Sequence, residues 1–289
     1  FNVLQNPNGI LFEPVSVCRS LLSYLQNKQY GADDLFLYNE LWQSWDHHGR
    51  FSNPDKETAL ANINASQQQA HAFVKKADWL IITLGSSFVY KLEEENRFVA
   101  NCHKAPGQWF DKYLMPIDEQ IALLDNCIHQ LFHTNPKLKI IFTISPVRHL
   151  RDGVVENNRS KARLLETVHH LVNKFDRLFY FPAYELVIDV LRDYRFYDID
   201  LAHPNYAATQ FVMEKFSDYA FREPTLQLIK EIRQIVTARN HKPFHPGSKQ
   251  HQQFLQQHLE LAERLQAEHS YLHLSEEVSN FRQQLLSYN

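Results

Sequence analysis

The chain has 289 residues, of which 44% are hydrophobic and 22% charged, and its formal net charge is -3. That is enough for one large domain with a helical appendage, or for two small domains. The absence of a basic block argues against a nucleic-acid footprint, and no run of about eighteen apolar residues offers a membrane-spanning helix. Cys18, Cys102 and Cys127 are odd in number and widely spaced, which predicts reduced thiols rather than a disulfide framework. Cytoplasmic is the default placement, and a signal peptide would have its place upstream of Phe1.

In chain order, Asn6-Pro-Asn-Gly9 reads as a turn. Val15, Cys18, Leu21, Leu22 and Leu25 follow Pro14 at helical spacing, and residues 56 to 76 carry Ala59, Ile63, Ala70, Phe73 and Val74 on another helix. The apolar run Asp78 to Leu84, closed by Gly85, predicts a buried parallel strand. Pro116 to Phe132 reads as helical. Lys139 to Ile144 is a second buried strand ended by Ser145-Pro146. Residues 158 to 175 form a helix, Leu178 to Phe181 a third strand, and Tyr184 to Arg192 a further helix.

Strands alternating with helices predict a three-layer α/β/α fold with a parallel sheet over residues 1–221. Residues 222–289 read as a helical C-terminal extension, with runs at Leu226 to Arg239 and Gln250 to Glu268, that packs on the domain or mediates self-association. In parallel sheets, ligands bind beyond the carboxyl ends of the strands. Gly85-Ser86-Ser87, Ser145 to His149 and Pro182 to Glu185 each follow a strand, so they are expected to converge on one edge.

Asp200-Leu-Ala-His203 lies ahead of a helical run from Asn205 to Phe216. An aspartate at this spacing can orient one imidazole nitrogen and leave the other as a general base, the Asp-His half of a hydrolase triad. The competing reading is that the two residues cap that helix. Gly85 with Ser86 and Ser87 offers backbone N–H groups to an oxyanion, or is a plain strand-to-helix turn. Ser86 as nucleophile lacks the Gly-x-Ser-x-Gly elbow. Asn101, Cys102 and His103 share a polar loop, where neighbouring residues rarely face each other. Arg148 can clamp a carboxylate or phosphate, or can pair with Asp152 or Glu185. The histidines from His241 onward lack metal-ligand spacing, and no metal or organic cofactor is expected.

Asn6 to Pro14, Thr83-Leu-Gly-Ser86, Asn101-Cys-His-Lys104, Ser145 to His149, Ser160-Lys161, Phe181 to Glu185 and Asp200 to Pro204 occur in this order. In these pieces, spanning roughly residues 1 to 216, the chain resembles the GSCFA family, a branch of the SGNH/GDSL-like hydrolases. The resemblance implies an SGNH-like fold and an esterase or acyltransferase activity on a small-molecule or glycan ester. It implies that the nucleophilic serine, on a first strand with a Gly-Ser-Cys motif, precedes Phe1. It casts His203 as the base, Asp200 as its partner and Gly9 as an oxyanion donor. Gly85-Ser86-Ser87 falls where SGNH enzymes have Gly-x-Asn-Asp, and that asparagine is missing here. Arg148, His149, Asn101 and His103 are expected to line the pocket with Ser145. Two rivals remain: a non-catalytic ligand- or glycan-binding module, and a metal hydrolase using His103, His149 and His203.

Overall fold

Glu13 starts the first helix, α1 (Pro14–Gln26). Its carboxylate accepts from the N–H groups of Val15 and Ser16 at 2.6 and 2.7 Å, and Pro14 occupies the first turn, where no donor is needed. Burial pushes the Glu13 carboxyl up to about 7, against the pull of those hydrogen bonds. Asn27 ends the helix in the left-handed region at φ 49°. The computed structural model describes residues 1–288 and divides into two compact units, Phe1–Val212 and Met213–Asn289.

In the first unit, β1 (Phe36–Tyr38) and β2 (Leu41–Gln43) form an antiparallel hairpin. Helix α2 (Lys56–Val74) follows, capped by the Asp55 carboxylate on the Thr58 N–H. Strand β3 (Trp79–Leu84) leads into an antiparallel sheet of β4 (Phe88–Leu92), β5 (Arg97–Val99) and β6 (Phe110–Leu114), in the order β5-β4-β6. Then come α3 (Ile117–Thr134), β7 (Lys139–Ile144), α4 (Gly153–Lys174) and β8 (Leu178–Tyr180). Strands β3, β7 and β8 make a parallel sheet in the order β3-β7-β8, with Trp79 opposite Lys139 and Leu84 opposite Ile144. A short helical turn, α5 (Ala183–Glu185), continues into a π-helical turn at Leu186–Leu191. Helix α6 (Tyr206–Ala220) contains the division between the units.

The fold is mixed α/β with a parallel sheet and a helical C-terminal region, as the alternation of elements in the sequence requires. Ile82, Leu84, Ile140, Phe142 and Ile144 share one sheet face. They join a single core with Leu21 of α1, Leu124 and Leu131 of α3, and Leu164 and Val168 of α4. The helix residues recur every three or four positions, so each helix presents one apolar stripe to the sheet.

Three sequence expectations need correction. Strand β3 is not buried throughout: among the described residues it pairs with β7 alone, and Trp79 and Ile81 on its other face are 47% and 52% exposed. A continuous apolar run does not distinguish an edge strand from a central one. Helix α4 starts at Gly153 rather than residue 158. The hairpin and the β4–β6 sheet were not foreseen, because their short strands mix charged and aromatic residues without clean alternation.

The second unit contains α7 (Glu223–Arg239), α8 (Lys249–Glu268) and α9 (Ser275–Leu286). Ile235, Leu255, Leu265 and Phe281 form its core, and Ser248 caps α8 through the His251 N–H. The third helix extends the two runs read from the sequence.

The edge position of β3 gives a contrast between neighbouring residues. Ile82→Ala is expected to cost about 2–5 kcal/mol in urea unfolding, whereas Ile81→Thr stays within about 0.5 kcal/mol. Equal losses at both positions would contradict the assigned faces.

Candidate functional site

Because β3 and β7 run parallel, Gly85 and Ser145 leave the sheet at the same end. The Ser145 N–H donates to the Leu84 carbonyl at 2.8 Å, which carries the pairing one residue further. Lys161 of α4, 1% exposed, donates to the carbonyls of both Gly85 and Ser145, at 2.5 and 2.6 Å. Burial pushes its ammonium down to about 7. The preceding residue, Ser160, accepts from the Ser87 N–H and takes the Ser87 hydroxyl proton on its carbonyl, both at 2.8 Å. One turn of α4 therefore fixes the ends of two strands.

His149 also meets the Gly85 carbonyl, through Nε2 at 2.8 Å. A carbonyl accepts only, so Nε2 carries the proton and Nδ1 is the bare nitrogen. Asn157 Oδ1 accepts from the His149 backbone N–H at 2.9 Å. Burial, then the Lys161 charge, lowers the His149 pKa and favours the neutral ring.

The Asp200–His203 loop is built differently. Leu201 takes φ 55°, and its N–H donates to the Asp198 carbonyl at 2.9 Å. The Asp198 N–H in turn donates to the His203 carbonyl at 2.8 Å. Asp200 Oδ1 accepts from the N–H groups of Ala202 and His203 at 2.9 and 3.0 Å, and Oδ2 meets His203 Nδ1 at 2.5 Å. The His203 and Ala202 backbone donors, followed by the imidazole, hold the Asp200 carboxyl down at about 2. It is ionised at every pH where the protein would work, and it selects the Nδ1–H tautomer. The His203 side chain is 59% exposed, and its Nε2 has no hydrogen-bond partner among the described residues. Neither residue caps α6. Asn205 does, through Oδ1 on the Ala208 N–H at 3.2 Å.

The other residues singled out from the sequence divide into groups. Gly85 and Ser145 meet at the strand ends with His149. Ser86 is buried there, and its Oγ accepts from the Phe88 N–H at 2.9 Å. The Gly85 N–H donates to the Phe12 carbonyl at 2.7 Å, and the Gly9 N–H to the Asn6 carbonyl at 2.8 Å. In this conformation neither donor is open to an oxyanion. Gly9 sits at φ 89°, and a Cβ there would lie 2.1 Å from the Cβ of His48, so this glycine has a packing reason. Asn101 and His103 belong elsewhere. His103 Nε2 meets the Ser44 carbonyl at 2.8 Å with its ring against Phe36 and Trp45, and Asn101 accepts from the His103 N–H. Burial lowers the His103 pKa.

Arg148 does not pair with Asp152 or Glu185. Asp152 is bound to Lys112, and Glu185 accepts from the Tyr180 hydroxyl at 2.8 Å. The guanidinium instead lies over the Tyr197 ring at 4.6 Å and donates to the Tyr197 hydroxyl and the Leu201 carbonyl at 3.3 and 3.4 Å. The Arg148 N–H also donates to the Ala202 carbonyl at 3.4 Å, which ties the segment after β7 to the His203 loop. Sequence alone assigns Tyr197 no role in the site, and it places Lys161 in a motif near this edge without a role. Lys161 had a signal: it falls on the buried stripe of α4 at Asn157, Ser160, Lys161 and Leu164.

A polar cavity of about 260 Å³ opens elsewhere, lined by Asn8, Arg19, Lys28, Tyr30 and Asp46 among others. None of the strand-end or dyad residues lines it, and Arg19 already pairs with Asp46 at 3.0 Å. The chemistry favours the exposed dyad over this cavity. Among the described residues no group of three or more His, Cys, Asp or Glu side chains is placed to hold a metal ion.

The sequence model of the GSCFA family matches residues 1–216, and that of the GSCFA domain protein, C-terminal domain, matches residues 232–287. No curated protein and no solved structure matches the chain.

The buried ammonium of Lys161 has a pH signature. Its pKa falls from 10.5 to about 7 on folding, so between these values the folded chain holds fewer protons than the unfolded one. The wild type is therefore expected to gain stability relative to Lys161→Met as pH rises through that window, and to show a constant difference below it. Denaturant unfolding of both proteins across the window checks this, and a pH-independent difference would contradict it.

Proposed function

We propose, for a chain that by these matches belongs to the GSCFA family, an acyl hydrolase or acyltransferase acting through a serine, with His203 as general base and Asp200 as its orienting partner. The observation that carries the reading is the 2.5 Å contact between Asp200 Oδ2 and His203 Nδ1, with the imidazole exposed and its Nε2 without a partner among the described residues. In the first step the serine Oγ attacks the ester carbonyl carbon as His203 Nε2 takes its proton. The same proton then passes to the departing alkoxide oxygen.

Within the chain, Ser86 and Ser87 are poor nucleophiles. Both are buried, and their hydroxyls are committed to Phe88 and Ser160. The open edge of β3 supports a different source. Its outward-facing backbone groups have no strand partner among the described residues, and Trp79 and Ile81 stand exposed beside it. A strand outside residues 1–289 that pairs with this edge would deliver a serine from its carboxyl end to the side of Gly85. The substrate class we propose, as the family resemblance implies, is a small-molecule or glycan ester.

The test uses the full-length natural protein, labelled with a fluorophosphonate probe and assayed on simple esters. His203→Ala and Asp200→Asn are each expected to lower the rate by about 10²–10⁴-fold with the fold intact. Full activity in His203→Ala would sink the assignment. Absence of labelling in the wild type would favour the ligand-binding module, for which the engaged N–H groups of Gly9 and Gly85 already speak.

A further inference from the structure

Arg148 is a half-buried cation that has no counter-ion among the described residues. Among the described residues its guanidinium forms no ion pair. It meets two neutral oxygens at 3.3 and 3.4 Å and the rings of Tyr194 and Tyr197. Of the carboxylates around it, Asp152 is bound to Lys112, Glu185 accepts from Tyr180, and Asp200, next to Leu201, is engaged by His203 and two backbone N–H groups. Arg50 and Arg163 of the first unit also lack an ion pair among the described residues, but each donates to two carbonyl oxygens, at 2.7 and 2.7 Å and at 2.6 and 2.8 Å, whereas the oxygens beside Arg148 are farther off. Long bonds to neutral oxygens satisfy direction but not charge, and a guanidinium reaches its full strength only against a planar oxyanion.

Its position gives this vacancy a meaning. The Tyr197 ring centroid lies 4.6 Å from the guanidinium carbon and that of Tyr194 5.7 Å, so two aromatic rings hold the cation in place. The residues it grips, Leu201 through its carbonyl and Ala202 through the Arg148 N–H, immediately precede His203. Tyr194, Ile199 and Leu201 are exposed apolar residues of the same loop region, which gives a neighbouring surface for the uncharged part of a ligand.

We propose that Arg148 is the recognition point for an oxyanion, a carboxylate or a phosphate, so that the His203 site takes anionic esters rather than neutral ones. The assignment of this oxyanion to a substrate rests on the acyl-transfer reading above, whereas the oxyanion site itself does not. Specificity here follows from charge and planarity: a neutral ester leaves the guanidinium uncompensated, and an anionic one completes it.

The experiment is an NMR titration of the 289-residue chain with inorganic phosphate and, separately, with acetate, observing the Arg148 side-chain N–H and the His203 ring. Saturable shifts of Arg148 are expected with at least one anion, and the tighter of the two identifies the oxyanion. Arg148→Gln is expected to weaken binding by at least about tenfold, a loss of about 1.4 kcal/mol. Arg148→Lys keeps the charge without the fork and should fall between the two. His203→Ala should still bind, which separates failure of the oxyanion site from failure of the catalytic reading. The His203 ring signals of Arg148→Gln report whether the loop has kept its form. Should they change, Arg148→Lys and the wild-type titration decide. No saturable shift with either anion, or undiminished binding in Arg148→Gln with the loop preserved, overturns the proposal.

Discussion

Parallel pairing of Trp79–Leu84 with Lys139–Ile144 sends two backbone carbonyls, those of Gly85 and Ser145, out of the same end of the sheet, and a buried ammonium group lies between them. A buried cation needs compensation, and here two carbonyl dipoles supply it in place of a carboxylate. The arrangement works only if the register of the two strands is fixed, because a slip would move one carbonyl away from Lys161. With the register set, His149 reaches the Gly85 carbonyl and Arg148 is aimed at the Asp200–His203 loop. The strand ends thus act as the frame on which that loop is hung.

The loop itself sits on the surface. Its order comes from short-range hydrogen bonds: two backbone donors to one Asp200 oxygen, the imidazole to the other, and the turn through Leu201 in the left-handed region. Such a loop holds its shape without burial, which explains how His203 is oriented yet open to a reactant. The open edge of β3 and the exposed dyad belong to one picture. The structure offers an oriented base and a strand edge without a strand partner among the described residues, and the proposed chemistry needs a serine to join them.

Much of this frame was readable from residue order, for identifiable reasons. The three parallel strands appear as apolar runs closed by Gly85, Ser145 and Pro182, and the helices between them keep a regular apolar stripe. The exposure of Ile81 was not readable, because strand order across the sheet decides it and a run of apolar residues carries no such information. Asp200-Leu-Ala-His203 was legible because both members of the pair lie in one short loop. The true partner of Arg148 was hidden for the opposite reason. Asp152 and Glu185 are closer guesses in sequence, but Lys112 and Tyr180, brought in by other strands, claim them first. Likewise Asn101 and His103 read as pocket residues, yet the antiparallel region draws them toward Ser44 and Trp45.

The central claim is that Asp200 fixes His203 as a base with a free Nε2. It is tested most directly by nitrogen-15 NMR of the His203 imidazole at neutral pH, comparing the wild type with Asp200→Asn. The account requires a proton on Nδ1 and a bare Nε2 in the wild type, with that preference lost in the variant. A wild-type ring protonated on Nε2, or one that exchanges freely between the two tautomers, would contradict it.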